Sequence, residues 1–237
     1  TTVNLNATED TYLRSSYSTR NYGGSTTIQA SPRTSYPQGV LMRWDLSSIP
    51  SDVIVTNASL TLYVTDGSAY AFSLYELVQS WVEGTSNDVI SSTSVNWDTY
   101  DGVNSWGTAG AQGTADRNST NLWDATSSTF TSTGSTTVDL NDSGVGVVQG
   151  WVTTPASNYG LTIQNYSGGS TAEDLIFYSS EGSTPPVLSI TYCTASTDPT
   201  IVTNGKLTEF SSQPGVPSDS QTYVVSGSNL NGDISIS

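Results

Sequence analysis

The stretch VLMRWDL, residues 40–46, is the clearest indication of the fold in this chain. Successive side chains of a β-strand point to opposite sides of the sheet, so residues two apart share a face. In this stretch Val40, Met42, Trp44 and Leu46 share one face. The pattern predicts a strand that directs one apolar face at a core.

Working outward, the same two-residue period recurs, and clusters of Gly, Pro, Ser and Asn lie between the repeats. It predicts further strands over residues 59–64, 71–77, 136–140, 160–165, 174–179 and 187–192. Residues 3–5 and 26–30 are predicted as edge strands. Several short strands separated by turn signals are typical of a β-sandwich or a jelly roll. The predicted fold is therefore an all-β, jelly-roll-like sandwich.

Two segments have helical spacing instead. Residues 77–81 (LVQSW) predict one short helix, and residues 143–152 (SGVGVVQGWV) predict another that closes one end of the sandwich. Asp142 or Ser143 could cap the second helix, because short polar side chains accept hydrogen bonds from the first backbone N–H groups of a helix.

The charge balance excludes several classes of partner. The 237-residue chain has 21 Asp plus Glu against six Lys plus Arg, a formal net charge of −15 at pH 7. Nucleic acids and anionic membrane surfaces bind clustered cations, so neither partner is expected. No apolar run approaches the ~18–20 residues of a membrane span, so membrane insertion is not expected either.

The residue types exclude common catalytic and metal-binding groups. The chain has no His, which excludes a Ser-His-Asp triad and a His-containing zinc site. The one cysteine, Cys193, excludes an intrachain disulfide, and we expect it to be buried. A glycosidase needs two carboxylates on either side of one bond, and no motif selects such a pair. We therefore predict a protein that is not an enzyme.

The remaining composition is typical of a secreted or cell-surface β module. Charged residues make up 11% of the chain, and Ser, Thr, Gly and Asn are abundant. Six Trp, 13 Tyr and four Phe argue against disorder, because aromatic side chains bury large areas.

A long segment, residues 84–130, has few aliphatic residues but several aromatic ones. They are Trp97, Tyr100, Trp106 and Trp123. Aromatic faces stack on sugar rings, and binding sites favour loops on a rigid scaffold, so these residues could form a platform for a glycan. The alternative is that a long irregular segment needs a small core of its own.

Two arginines are further candidates for ligand binding. On a strand, Arg14 shares a face with Tyr12, and Arg43 shares a face with Asp45. This arrangement could form a surface that binds sugars. The alternative is a polar network that fixes the N-terminal strands.

The acidic residues could also build a Ca²⁺ site, because hard cations take carboxylate oxygens together with backbone carbonyls. The candidates, which lie near the beginning and end of the predicted sandwich, are Glu9, Asp10, Glu173, Asp174 and Glu181. The chain has no strict D-x-D-x-D-G loop. Solvated acidic faces are the alternative.

The pattern changes after Cys193. Residues 1–193 are predicted as the sandwich, residues 194–205 as a linker and residues 206–237 as a β extension, with strand patterns at 200–203, 206–210 and 222–227. Such strands could add to the sheet edge of another copy. The residues expected to do so are Lys206, Phe210, Tyr223, Val225, Ile234 and Ile236. Alternatively, this tail folds back on residues 1–193.

At this point the sequence resembles a known family. Residues 10–28 (DTYLRSSYSTRNYGGSTTI), 40–50 (VLMRWDLSSIP) and 57–64 (NASLTLYV) resemble the DNRLRE domains of bacterial and archaeal secreted proteins. The likeness continues, in order, through WVEG (81–84), VNWDTYDG (95–102), YGLTI (159–163) and residues 177–192. These domains are similar to disaggregatase-related repeats and to family 96 carbohydrate-binding modules.

The resemblance implies a jelly-roll-like sandwich, an extracellular setting and association with polysaccharides. It implies no particular enzymatic activity. Residues 198–237 resemble the opening of an Ig-like surface module.

Two functions remain open from the sequence. The first is a structural or adhesive module that assembles with copies of itself into a filament through its C-terminal strands. The second is a carbohydrate-binding module of a larger secreted protein. The net charge of −15 favours neutral glycans over a polyanion such as alginate, unless Ca²⁺ bridges the two or Arg14, Arg20, Arg33 and Arg43 cluster.

Overall fold

The computed structural model describes residues 1–126, 128–167, 173–194, 200–204 and 224–228. Contacts between Cα atoms divide the chain into two compact units, Thr1–Cys193 and Thr194–Ser237. The strands are β1 Thr2–Arg14, β2 Arg20–Asn21, β3 Thr27–Ala30, β4 Gln38–Trp44, β5 Val53–Asp66, β6 Ser73–Glu76, β7 Val89–Ile90, β8 Gly134–Asp139, β9 Leu161–Gln164, β10 Leu175–Tyr178, β11 Val187–Thr194, β12 Thr200–Asn204 and β13 Val224–Ser228. Helix α1 spans Asp142–Thr153, and 3₁₀ turns span Ser15–Tyr17 and Pro155–Ser157.

The first unit is an all-β sandwich, as the alternating pattern predicts. Its strands are antiparallel neighbours in the order β3, β10, β5, β11, β1, β4, β9 and β6, and β8 also pairs with β5. Each strand predicted within residues 1–193 overlaps one of them. The regular hydrogen bonds of a sheet hold alternate side chains on one side, so the period of the sequence matches the period of burial.

Strand β1 is shared by the two halves of the sheet. Its residues 2–6 pair with β11, and its residues 7–14 pair with β4. The register shifts between Ala7 and Glu9, where the strand passes from one half to the other. Among the described residues, residues 3–5 pair on one side alone, with β11, so the prediction that they form an edge strand is confirmed for this part of β1. Strand β3 also lies at one end of the order.

The main core fills the space inside the sandwich. On β4 the predicted face of Val40, Met42 and Trp44 is buried there, together with Leu46 just beyond the strand. Leu41 points to the other side of the same strand and is also completely buried, because it belongs to a second apolar cluster. Strand β4 is thus covered on both faces.

Helix α1 confirms the prediction for residues 143–152 and packs against β5. Its cap is Asn141, one residue before the predicted caps, and the Asn141 side chain accepts a hydrogen bond from the Gly144 N–H. Trp151 is completely buried in the main core. The Gln149 side chain fixes the helix to the sheet, because it accepts from the Val55 N–H and donates to the Val53 carbonyl.

The predicted helix over residues 77–81 is wrong. The N–H of Leu77 donates to the Gly160 carbonyl, and the N–H groups of Val78 and Gln79 donate to the Asp116 carbonyl. Because these N–H groups donate to carbonyls of other segments, they make no hydrogen bonds of a helix. Trp81 then reaches the second cluster, with its indole N–H donating to the Tyr159 carbonyl at 2.8 Å.

In the second unit, β12 and β13 pair with each other antiparallel, from Thr200 opposite Ser228 to Asn204 opposite Val224. Val225 lies on β13 opposite Thr203. The predicted strand over 206–210 lies outside the described residues. So do five of the expected assembly residues, which are Lys206, Phe210, Tyr223, Ile234 and Ile236.

Two further sequence expectations concern the surface. Cys193 is exposed, so the expectation that it is buried is wrong; it lies near the end of β11, where the strand emerges from the sandwich. In the part of the chain that the structure describes, no helix is long and apolar enough to cross a membrane.

Candidate glycan-binding cleft and acidic cluster

A cleft of about 360 Å³ opens where β1 ends and β3 and β4 meet. We call it the arginine cleft. It is lined by Arg14, Ser16, Tyr17, Gln29, Arg33, Tyr36, Gln38 and Asp174. These residues come from the end of β1, the turn that follows it, β3, the β3–β4 loop, the start of β4 and the residue before β10. The sandwich thereby brings together side chains that are far apart in the sequence.

Two arginines stack on the ring of Tyr17, which lines this cleft. The guanidinium carbon of Arg14 lies 4.6 Å from the centre of the Tyr17 ring, and that of Arg20 lies 4.7 Å from it. Cations over an aromatic face are held by the ring's quadrupole. Arg20 also pairs with Asp88 at 3.0 Å. Arg14 donates to the Ser16 hydroxyl and forms no ion pair with any described residue.

The other wall carries a third arginine and a second exposed ring. Arg33 pairs with Asp174 at 2.8 Å. Tyr36 is 55% exposed and Tyr17 is 44% exposed, so both rings offer area to a ligand. The cleft therefore combines guanidinium groups, two amide side chains and two accessible tyrosine rings.

Arg43 lies apart from this cleft. It forms an ion pair with Glu9, the residue opposite it on β1, and its guanidinium carbon lies 5.5 Å from the centre of the Trp81 ring. Asp45, which the sequence places on the same face, accepts instead from the Ser47 N–H. Arg14 and Arg43 lie near opposite ends of the stretch over which β1 pairs with β4, so they do not form one site.

The four aromatic residues of the long segment are placed mainly in cores. Trp123 is completely buried in the main core, and its indole N–H donates to the Phe72 carbonyl. Trp97 and Trp106 belong to the second cluster, and Tyr100 packs edge-on against Trp106. The three tryptophans expose less than a tenth of their area. Trp97, Tyr100 and Trp106 thus contribute to a core that the long segment helps to form, which was the alternative to a platform for a glycan.

The second cluster is a small core between β4 and the long loop. We call it the loop core. It consists of Leu13, Leu41, Leu77, Trp81, Val95, Trp97, Trp106 and Ala111. Val95, Trp97, Trp106 and Ala111, its members from the long loop, lie outside the strands of the sheet.

A cluster of three carboxylates lies elsewhere on β1. We call Asp10, Glu83 and Glu181 the acidic cluster, since carboxylate oxygens of all three lie within 4.8 Å of one another. They could hold a metal ion. Asp10 is completely buried, Glu83 is half-buried and Glu181 is exposed.

Hydrogen bonds orient this cluster. The Asp10 N–H donates to Glu83 Oε1 at 2.5 Å, and the Ser180 N–H donates to Asp10 Oδ2 at 2.6 Å. Burial raises the pKa of Asp10 to about 7, and the negative charge of Glu181 adds to the effect. Burial likewise raises the pKa of Glu83 to about 8, with further contributions from the neighbouring carboxylates. Asp10 and Glu83 therefore resist ionisation.

The acidic cluster differs from the predicted calcium ligands. Asp10 and Glu181 are in it, whereas Glu9 pairs with Arg43 and Asp174 pairs with Arg33. Glu83 was missed by reasoning from the sequence, although it lies in the WVEG stretch that carries the family resemblance. Tyr17 and Tyr36 were also missed, because single tyrosines in turns give no periodic signal.

Comparison with known proteins identifies a family for most of the sandwich. No curated protein matches the chain. The sequence model of carbohydrate-binding module family 96 matches residues 1–144, more than half of the chain. The matched region includes β1, β3 and β4, and therefore most of the arginine cleft. The chain belongs to carbohydrate-binding module family 96.

Proposed function

We propose that the chain is a non-catalytic carbohydrate-binding module that binds an acidic polysaccharide in the arginine cleft. One observation carries the proposal: two of the six cationic residues, Arg14 and Arg33, line one cleft with two exposed tyrosines, and Arg20 stacks on the same Tyr17 ring as Arg14. The net charge of the chain disfavours a polyanion unless arginines cluster, and two of the four relevant arginines, Arg14 and Arg33, line this cleft.

The chemistry of the cleft fits a sugar that carries carboxylate groups. A guanidinium group presents paired N–H donors that match the two oxygens of a carboxylate. Arg14 supports this role best, because Asp88 and Asp174 already neutralise Arg20 and Arg33. The exposed rings of Tyr17 and Tyr36 offer apolar faces against which the C–H face of a sugar ring can stack.

The test is the affinity for two oligosaccharides of equal length, one of hexuronic acids and one of neutral hexoses, measured by calorimetry. Arg14→Ala should weaken binding of the acidic oligosaccharide about 10- to 100-fold, because a hydrogen bond to a charged group contributes ~1.5–3 kcal/mol. Added salt should weaken the wild-type complex as well, since it screens exposed charges.

Arg117→Ala is the matched control. Arg117 lies over the Tyr75 ring at 3.7 Å and does not line the cleft, so its loss should leave affinity unchanged. Equal affinity of wild type and Arg14→Ala for the acidic oligosaccharide would contradict the proposal. So would binding of the neutral oligosaccharide alone.

We also propose that the module works outside the cell, in keeping with polysaccharide binding and with the composition. Assembly with further copies stays a prediction. Its support is limited to β12 and β13, which pair only with each other among the described residues and so leave edges to which a strand could add. Electron microscopy of the full chain beside a version ending at Cys193 tests it: filaments that disappear on truncation are the expected result.

A further inference from the structure

The acidic cluster joins three parts of the sandwich that are distant in sequence. Asp10 lies on β1, Glu83 lies in the segment between β6 and β7, and Glu181 lies between β10 and β11. Among the described residues, no strand pairing joins these three segments at this point. Hydrogen bonds from the Asp10 and Ser180 N–H groups connect them, but the carboxylates that meet there repel one another when they are ionised.

Asp10 is unusual within the cluster, because one of its oxygens has no partner. Asp10 Oδ2 accepts from the Ser180 N–H, but Oδ1 is buried and accepts no hydrogen bond from the described residues. Burying an unpaired carboxylate oxygen is costly, and such groups normally meet a hydrogen-bond donor or a cation. The orphan oxygen therefore belongs to a cluster of three acidic side chains.

No positive side chain in the described residues compensates this charge. The ion pairs found there are Arg20–Asp88, Arg33–Asp174 and Arg43–Glu9, and none includes a member of the acidic cluster. The Ser180 hydroxyl donates to Glu181, which positions that carboxylate without neutralising it.

We propose that Asp10, Glu83 and Glu181 bind one Ca²⁺ ion, which ties β1, the segment after β6 and the β10–β11 loop together. The donor set is made of oxygen atoms, which hard cations prefer, and the chain has no His to favour zinc or copper. Three carboxylates can supply up to six oxygens if all bind through both atoms. Glu181 is exposed, which leaves water access to complete the coordination.

Calcium is favoured over magnesium by the origin of the ligands. They come from one strand and two loops, and Ca²⁺ tolerates the irregular geometry that such a set provides. Mg²⁺ demands near-octahedral coordination and gives up its water reluctantly. The cluster should therefore discriminate between the two ions.

The experiment uses the full chain, freed of metal with a chelator and dialysed, and titrated with CaCl₂ by calorimetry. We expect one ion per chain. Thermal unfolding at a Ca²⁺ concentration ~100-fold above the dissociation constant should move upward by about 5–10 °C, because a ligand that binds only the folded state stabilises it. Mg²⁺ at the same concentration should give a smaller shift.

Asp10→Asn separates a calcium site from a merely structural carboxyl. The variant keeps an acceptor for the Ser180 N–H but loses the charge, so it should lose the response to Ca²⁺. In metal-free buffer it should unfold at the same or a higher temperature than wild type, because a neutral side chain replaces the buried member of the acidic cluster. Asp139→Asn, at an exposed position on β8 outside the cluster, is the matched control and should respond to Ca²⁺ as wild type does.

If Asp10→Asn does not fold, Glu181→Gln replaces it, since Glu181 is exposed and its substitution spares the interior. Its affinity for Ca²⁺ should fall about 10-fold or more, the loss expected when one charged ligand is removed. A wild-type protein that shows neither heat nor a thermal shift with CaCl₂ would overturn the proposal. An undiminished response in both variants would overturn it too.

Discussion

The main core and the loop core of this module are built in different ways. In the main core, apolar residues alternate along strands, as Leu60, Leu62 and Val64 do on β5. In the loop core, Val95, Trp97 and Trp106 come from backbone without regular sheet pairing. The same kind of side chain is therefore buried by two routes, and only the first leaves a periodic signal in the sequence.

The loop core depends on polar side chains that satisfy its irregular backbone. The buried Asp116 carboxylate accepts from the N–H groups of Gly107, Thr108 and Gly113 at 2.6–2.8 Å. Asn96 accepts from the two N–H groups that follow Trp97, and its own carbonyl accepts from the Trp106 indole. Buried backbone groups need partners, and here side chains replace the neighbouring strand. The difference teaches that a long polar segment with several tryptophans can be a small folded layer.

The largest expected effect is in the main core. Phe177 is completely buried on β10, and Phe177→Ala should lower the free energy of unfolding by about 3–5 kcal/mol, because the cavity adds to the lost transfer free energy. Denaturant unfolding followed by circular dichroism measures it. Ser135→Ala, at an exposed position on β8, should change little. A loss below about 1 kcal/mol for Phe177→Ala would show that the two cores do not differ as described.

The next effect separates the loop core from the sandwich. Trp106→Ala should cost less global stability than Phe177→Ala, because irregular neighbours can collapse into the space. Hydrogen exchange should accelerate in residues 84–126, while amides of β4 and β5 stay protected.

The same variant tests where the glycan binds. Binding of the acidic oligosaccharide to Trp106→Ala should be unchanged, since Trp106 does not line the arginine cleft. If Trp106→Ala loses binding while the amides of the sandwich stay protected from exchange, the glycan stacks on the long loop and not in the arginine cleft.

A smaller effect is expected at Gly110, where the loop passes against the face of Trp97. Gly110 has a φ of +79°, and a Cβ there would lie 2.6 Å from the Trp97 ring. Gly110→Ala should cost at least about 1–2 kcal/mol, the penalty of a left-handed conformation for a residue with a Cβ. Chemical denaturation measures the loss, and Gly146→Ala is the control, because a Cβ at Gly146 meets no atom within 4 Å. Equal stability of the two variants would show that the loop is not held against Trp97.

The smallest effect is a pH dependence at the junction of loop and sandwich. The Tyr22 hydroxyl and Arg20 hold the pKa of Asp88 below its ordinary value. This contribution is present above the pKa of the unfolded chain and is lost as the pH falls through the lower pKa of the folded state. NMR signals of Val89 and Ile90 should therefore titrate at a pH below the ordinary aspartate range. The titration should disappear in Asp88→Asn, which tolerates the positive φ of 60°.

Much of the sandwich could be predicted because strand ladders repeat every two residues. Residues 40–46 illustrate this: their alternation becomes the inner face of β4. The length of β1 was not predictable in the same way, since residues 10–13 are all buried, against the main core on one side and the loop core on the other, and this removes the alternation.

The candidate sites were only partly predictable for a related reason. Arg14, Asp10 and Glu181 were identified as residue types suited to a ligand, but their partners depend on which loops meet in space. Glu83 reaches Asp10 across 73 positions of sequence, and Tyr36 reaches the cleft from the β3–β4 loop. The sequence around a tryptophan in a polar loop does not show whether its side chain is buried or faces a ligand. The sequence therefore could not distinguish the loop core from a platform for a glycan.

The pairing of β1 with β11 has a mechanical consequence. Thr2 lies opposite Thr191, and the nitrogen of Thr1 donates to the Tyr192 carbonyl at 2.9 Å. The two ends of the sandwich unit therefore leave from the same place, on adjacent strands that run in opposite directions. A pull between Thr1 and Cys193 would load these hydrogen bonds one after another, as in a zipper, rather than shear them together. Such a geometry yields at low force, so under tension this pair of strands would be the first part of the sandwich to open.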